Sequence, residues 1–107
     1  MEDENFLNEE RFAKTFAGGK FRLKKWGKLK IRQELKLRGV SETNIGKALR
    51  EIEEADYKQT LHELLEKKNS LDKSANPLEQ KQKLVRFALS KGYEQDLIWN
   101  EVNDLIV

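Results

Sequence analysis

The chain lacks several features that would point to particular chemistry. It has no cysteine, one histidine and one proline among 107 residues. The absence of cysteine excludes disulfides and thiolate metal sites, as is typical of proteins from a reducing compartment. No apolar run approaches the ~18 residues of a membrane span, and no signal-peptide pattern opens the chain. We therefore expect a soluble cytoplasmic protein with no membrane partner.

The composition favours helices over strands. Charged residues make up 37% of the chain, and the β-branched residues that favour sheets are sparse. A chain of 107 residues buries only about two-thirds of its unfolded surface, so its core is modest. We expect an all-α protein made of one domain or two small repeat units.

A repeated pattern dominates the sequence. A basic helix, a glycine preceded by a basic residue and a second amphipathic helix occur in residues 30–52 and again in residues 83–105. When Gly39 is aligned on Gly92, apolar positions fall on apolar positions. The aligned pairs are Ile31 and Leu84, Leu35 and Ala88, Val40 and Tyr93, Ile45 and Ile98, Leu49 and Val102, and Ile52 and Leu105. This register indicates a duplicated unit with a left-handed glycine after its second helix.

A leading helix precedes each copy. The first is predicted to begin at Asn8 and to run to about Lys24, with a break at Trp26-Gly27. The second is predicted over residues 55–68, followed by a polar connector at 69–76. Their predicted buried residues are Phe12, Ala13, Phe16 and Ala17 in the first, and Tyr57, Leu61, Leu64 and Leu65 in the second. The leading helices match at an offset of 48 and the later helices at 53, so the connectors differ in length.

The remaining helices are predicted at residues 28–38, 42–54, 77–91 and 95–106. Ser41 precedes the helix at 42–54 and can cap its free amides. Asn76-Pro77 places a capping residue before a proline at the first helical position. Each copy therefore contains three helices.

Charge is unevenly distributed although the formal net charge is only +2. The first ten residues carry acidic groups and no basic one, whereas from Lys14 to Arg38 the only acid is Glu34. The local excess predicts a positive surface and a polyanionic partner. The opposing interpretation is that these lysines only solvate a helix.

No catalytic or metal-binding pattern is evident. His62 and Glu66 share a helix face, but a second histidine and a third ligand are missing. No serine or threonine has a base of its own, since His62 would have to serve each of them. We expect no enzyme activity, no metal and no cofactor.

Two features bear on nucleic-acid recognition. The third helix of each copy is acidic, so insertion into a DNA groove in the manner of a helix-turn-helix reader is disfavoured. Trp26 lies within the basic segment and could stack on an unpaired base. Packing between two helices is the interpretation we favour for Trp26.

Several segments resemble the RecX family, the bacterial modulators of the RecA recombinase. The central segment KWGKLKIRQELKLRGVS at residues 25–41 carries the main resemblance. NEERFA at residues 8–13 resembles the family's leading helix, with asparagine where aspartate is usual. KLVRFALSKGY at residues 83–93 and DLIW at residues 96–99 resemble its closing repeat.

The resemblance implies an elongated, curved stack of three-helix repeats. Residues 6–54 and 55–107 would be the family's second and third repeats, with the first absent ahead of Phe6. It also implies a protein that binds the RecA filament on DNA and inhibits its recombinase, ATPase and coprotease functions. We expect a monomer that contacts the phosphate backbone of single-stranded DNA. The expected contacts are Lys20, Arg22, Lys24, Lys25, Lys28, Lys30 and Arg32. A plain nucleic-acid-binding module and a helical scaffold for an acidic protein are the alternatives.

Overall fold

The described part of the chain is all-helical. The computed structural model describes residues 2–71 and 76–106, with side chains from residue 8 onward. The helices are α1 (Glu2–Gly19), α2 (Lys28–Leu37), α3 (Glu42–Arg50), α4 (Glu54–Leu71), α5 (Pro77–Lys91) and α6 (Gln95–Leu105). A π-helical turn at Lys20–Lys24, which we call the π turn, continues α1. The molecule is elongated, with principal extents of 59 × 23 × 21 Å.

In the first half, α1 packs along α3, and α2 also packs against α3. Ala13, Ala17 and Phe21 form the buried stripe of the leading helix, at a spacing of four residues. The prediction that Phe12 is buried was wrong, because the ring lies one position off that stripe and is 43% exposed. Phe16 is only partly buried, and it packs against the edge of the core.

The predicted start of α1 at Asn8 was also wrong. The helix begins at Glu2, so Asn8 is an interior position rather than a cap. The prediction that the helix continues past the glycines at positions 18 and 19 is confirmed, since α1 runs directly into the π turn.

Capping side chains define two helix starts as predicted. The Ser41 hydroxyl accepts a hydrogen bond from the Asn44 amide at 3.4 Å. Asn76 accepts one from the Leu78 amide at 2.9 Å, with Pro77 at the first helical position. Helix α3 ends at Arg50 rather than near residue 54, although Ile52 beyond it is still buried.

In the second half, α4 contacts both α5 and α6, and α5 packs on α6. Tyr57, Leu61 and Leu65 are buried along α4 as predicted, whereas Leu64 is only partly buried. Helix α4 extends to Leu71, into the predicted connector. Residues 72–75 of that connector lie outside the described residues.

The aligned apolar positions of the two halves occupy equivalent places. Eleven of the twelve residues aligned above are buried, and the exception, Leu105, is partly buried at the end of α6. Both glycines have positive φ, 82° at Gly39 and 94° at Gly92. Within residues 2–71 and 76–106, no helix has the length and apolar character needed to cross a membrane.

Candidate nucleic-acid interface

The π turn reverses the chain in the middle of the basic segment. The Lys25 amide donates to the Phe21 carbonyl at 3.1 Å, and the Trp26 amide donates to the Lys20 carbonyl at 3.3 Å. Lys25 has φ 60° and ψ 34°, a left-handed conformation that is uncommon for a residue with a Cβ. Its carbonyl accepts a hydrogen bond from the Tyr93 hydroxyl at 2.9 Å. The second half of the molecule therefore stabilises the reversal.

The start of α2 is anchored to α4 and α5. The Gly27 amide donates to the Lys91 carbonyl at 2.7 Å, and the Leu29 amide donates to the Gly92 carbonyl at 2.9 Å. The Lys28 amide donates to the Tyr57 hydroxyl at 2.8 Å. The first amides of a helix and the last carbonyls of another have no partner within their own helices, so each end satisfies the other.

Two glycines make this junction possible. A Cβ on Gly27 would lie 2.3 Å from the Gly92 carbonyl carbon, and a Cβ on Gly92 would lie 2.3 Å from the Lys30 Cβ. Beside them, the rings of Tyr57 and Tyr93 stack with centroids 5.0 Å apart. Burial raises the pKa of both tyrosine hydroxyls well above the usual value, which keeps them protonated as donors. The Tyr57 hydroxyl also donates to Glu94.

Trp26 lies beside two lysines of the predicted site. The Lys20 ammonium is 5.0 Å from its ring centroid and the Lys30 ammonium is 4.7 Å away. The Phe16 ring meets Trp26 edge-on at 6.3 Å. Trp26 packs against the core as expected but is only partly buried. The tertiary structure also supplies the second aromatic ring that the sequence pattern did not reveal.

A second group of cations lines a cleft between α2, α3 and the start of α6. The cleft has a volume of about 330 Å³. Its lining includes Lys28, Arg32 and Arg50, together with Glu94. Arg32 forms an ion pair with Glu42 at 2.9 Å, and Lys28 lies 4.7 Å from the Tyr57 ring centroid.

Arg50 was missed because the sequence argument counted charge over the whole of α3. Gly46, Leu49 and Arg50 all line the cleft, and their i, i+3 and i+4 spacing on one helix face was the available signal. The Arg50 Nε donates to the Gly46 carbonyl at 3.2 Å.

The other predicted residues lie apart from these two groups. Arg22 extends back over Gly18, where a Cβ would meet its guanidinium at 3.0 Å. Arg22 lines a separate cavity of about 370 Å³ that also contains Glu51, Glu53 and Asp56. The side chains of Lys24 and Lys25 are exposed. The basic segment therefore contributes to more than one face.

His62 takes part in contacts within the second half. Its Nδ1 shares a hydrogen bond with Glu101 on α6 at 2.9 Å, and its Nε2 lies 3.6 Å from Glu66. The hydrogen bond to Glu101 is the main reason that the pKa of His62 is raised. Among the described residues, no group of three or more potential ligand side chains could hold a metal.

The fold and the clustered cations define a class of helical-repeat protein with basic surface groups. Family models match the chain in two consecutive segments: the second three-helix domain of RecX at residues 8–49, and the third at residues 54–100. The chain belongs to the RecX family.

Relatives named regulatory protein RecX are similar over most of the chain. A Clostridium perfringens protein is 37% identical over 90% of this chain and 45% of its own length. A Clostridium botulinum protein is 37% identical over 99% of this chain and 50% of its own length. A Salmonella paratyphi C protein is 33% identical over 95% of this chain and 61% of its own length. The chain thus spans about half the length of the first two. No solved structure matches it.

Proposed function

We propose that this chain is a non-catalytic RecX-type regulator that binds the RecA filament on DNA and inhibits its recombinase, ATPase and coprotease activities. Family membership and relatives named as regulatory proteins support the regulatory role. The proposed units are residues 6–54 and 55–107, acting together as a monomer in the cytoplasm.

The observation that carries the proposal is the grouping of cations in the first unit. Lys20 and Lys30 approach one half-buried tryptophan. Lys28 and Arg32 line a neighbouring cleft with Arg50. Cations held close together by a folded scaffold can contact several phosphates at once, because their positions are fixed before binding. Their rigid support is the junction of α2 with the end of α5.

The direct test is ATP hydrolysis by a RecA filament on single-stranded DNA as the chain is added. We expect hydrolysis to fall at substoichiometric amounts of the chain, and we expect no hydrolysis by the chain alone. Unchanged filament activity at saturating protein, or hydrolysis by the chain itself, would refute the proposal.

Charge reversal tests the site within that assay. Changing Lys24, Lys25, Lys28 and Lys30 to glutamate should abolish filament binding, because the segment would then repel phosphates. A matched control reverses Arg11, Lys58, Lys67 and Lys81, which lie outside the proposed contacts. Circular dichroism checks that helicity is retained in both variants. Equal inhibition by both would mean that the basic segment is only a solvated face.

Salt dependence separates this proposal from docking on an acidic protein. Direct phosphate contacts weaken steeply with salt, by a slope that counts the contacts. Binding to naked DNA without an effect on the recombinase would instead indicate a plain nucleic-acid-binding module.

A further inference from the structure

A second cationic cleft lies in the other half of the molecule. It has a volume of about 350 Å³ and is lined by Lys68 of α4 and by Lys83, Arg86 and Phe87 of α5. The Lys68 ammonium lies 5.4 Å from the centroid of the Phe87 ring. Three cationic side chains therefore share one cleft with a partly buried aromatic ring, outside the basic segment already described.

The register of the repeat relates this cleft to the group of Lys20, Lys30 and Trp26, called the Trp26 cluster below. The offset of the leading helices places Lys68 on Lys20, and the offset of the later helices places Lys83 on Lys30. In the first half, that lysine pair approaches Trp26. In the second half, Lys68 approaches the Phe87 ring and Lys83 lines the same cleft. The ring itself differs, since Trp26 precedes α2 whereas Phe87 belongs to α5.

Repetition of a cationic surface suits a polymeric ligand. Copies of a unit along an elongated molecule present equivalent positions at successive points. A nucleic-acid strand offers the same phosphate group at every nucleotide, so one strand can meet both surfaces. The second contact is then intramolecular, and it adds affinity without a new kind of interaction.

We propose that Lys68, Lys83 and Arg86 form a second binding site for the phosphate backbone of single-stranded nucleic acid, equivalent to the site around Lys20 and Lys30. The cation–π contact with Phe87 holds the Lys68 ammonium at the cleft. This inference rests on the proposed function, because it assigns a second contact to the same polyanion.

The test is fluorescence anisotropy with a labelled single-stranded oligonucleotide, without recombinase, over a series of salt concentrations. The variant Lys83→Gln/Arg86→Gln should bind about tenfold more weakly at low salt, and the slope of log affinity against log salt should fall by roughly 1 to 1.5. Both side chains are exposed, so the substitutions leave the core intact. The control Lys58→Gln/Lys81→Gln also removes two positive charges, one from α4 and one from α5, and should leave the slope unchanged.

Two further variants sharpen the result. Lys83→Arg/Arg86→Lys retains both charges and should bind with the wild-type slope. Lys20→Gln/Lys30→Gln should lower the slope by a similar amount, because it removes the equivalent pair. An unchanged slope in Lys83→Gln/Arg86→Gln overturns the inference, as does a wild-type chain that fails to bind the oligonucleotide at low salt.

These outcomes are distinct from failure of the proposed function. If the oligonucleotide results are negative while the chain still lowers RecA ATP hydrolysis, the second site is refuted and the regulatory proposal stands. If the Lys83→Gln/Arg86→Gln variant loses affinity for the recombinase filament with no change in slope, the cleft contacts protein rather than phosphate, and the inference is likewise overturned.

Discussion

The turns around Gly39 and Gly92 share one local structure in two different surroundings. The Gly39 amide donates to Lys36 at 3.0 Å, and the Gly92 amide donates to Leu89 at 3.0 Å. The residues that follow the glycines repeat the pattern. The Val40 amide donates to the Leu35 carbonyl at 3.0 Å, and the Tyr93 amide donates to the Ala88 carbonyl at 3.2 Å. Each turn satisfies the last carbonyls of its helix in the manner of a left-handed glycine cap.

The surroundings of the two glycines differ completely. A Cβ on Gly39 would meet no atom within 4 Å, whereas a Cβ on Gly92 would lie 2.6 Å from the Lys30 backbone nitrogen. The Gly39 turn therefore only ends a helix. The Gly92 turn also forms the junction that holds the basic helix α2. A repeated sequence pattern thus specifies the turn, and tertiary contact gives one copy a second role.

The largest expected effect comes from Gly92→Ala compared with Gly39→Ala. Both substitutions place a side chain at positive φ, which costs about 1–2 kcal/mol. Gly92→Ala must in addition displace the α2 backbone, so we expect a total loss above about 3 kcal/mol, a large part of the stability of a small protein. Urea unfolding of the two variants gives the comparison. Equal losses would contradict the close approach of the two helices.

Gly27→Ala separates close approach from backbone conformation. Gly27 has φ −77°, which any residue can adopt, yet its Cβ would lie 2.3 Å from the Gly92 carbonyl oxygen. We expect a loss of about 2–3 kcal/mol from overpacking alone. Gly19→Ala is the matched control, since that glycine is helical with nothing within 4 Å of its Cβ. It should be neutral or stabilise by about 0.5–1 kcal/mol. If Gly19→Ala is destabilised while Gly27→Ala is neutral, close packing at Gly27 is not what limits stability.

The tyrosine hydroxyls at the junction should contribute less. Tyr57→Phe leaves the Lys28 amide without its acceptor and should cost about 1–3 kcal/mol in the free energy of unfolding. Tyr93→Phe removes one donor to the Lys25 carbonyl and should cost about 1 kcal/mol. Amide hydrogen exchange at Lys28 should accelerate in Tyr57→Phe, while amides of α3 keep their protection. If both variants unfold like the wild type, the junction does not depend on these bonds.

The smallest effect is a pH dependence of opposite sign in the two halves. Lys47 lies 3.1 Å from Glu10 and joins α3 to α1. Hydrogen bonds from Lys47 and Lys14 lower the pKa of Glu10. The contribution of Glu10 to folding stability is therefore present above the ordinary pKa of 4.5, and it is lost as the pH falls through the lowered pKa. His62 joins α4 to α6 with a raised pKa. The contribution of His62 to folding stability is complete below the ordinary pKa of 6.5, and it is lost as the pH rises through the raised pKa.

Melting temperatures of Glu10→Gln and Glu101→Gln test this contrast. Relative to the wild type, Glu10→Gln should show its deficit at neutral pH and lose it in acid. Glu101→Gln should show its deficit in mild acid and lose it as pH rises. Both links are partly exposed to solvent, so shifts below about 2 °C are expected. The same pH trend in both variants would contradict the assignment.

Local sequence signals were sufficient for much of the fold. Ser41 and Asn76-Pro77 marked helix starts because a capping side chain acts on amides two or three residues away. The apolar period placed Tyr57, Leu61 and Leu65 in the core, since these positions share one helix face. The exposure of Phe12 was mispredicted, because it depends on the fit of α1 along α3 rather than on any local pattern.

The candidate site was only partly readable from the sequence. The basic segment was evident from its composition. The sequence did not reveal that the segment divides between the Trp26 cluster, the cleft with Arg50 and the cavity with Arg22. This division arises because the π turn and the left-handed Lys25 redirect the chain within a few residues. Lys68 and Lys83 escaped notice because they are far apart in sequence, and only the packing of α4 on α5 brings them together.

The sequence by itself determined the helices, the duplicated register and the two left-handed glycines, since these follow from side-chain period and backbone sterics over a few residues. Only the tertiary structure decided that Gly27 and Gly92 meet, that Tyr57 and Tyr93 bond to the α2 start and to Lys25, and which cations share a cleft. Such contacts join residues far apart in the chain. Their partners are chosen by close packing and by the need to satisfy buried polar groups.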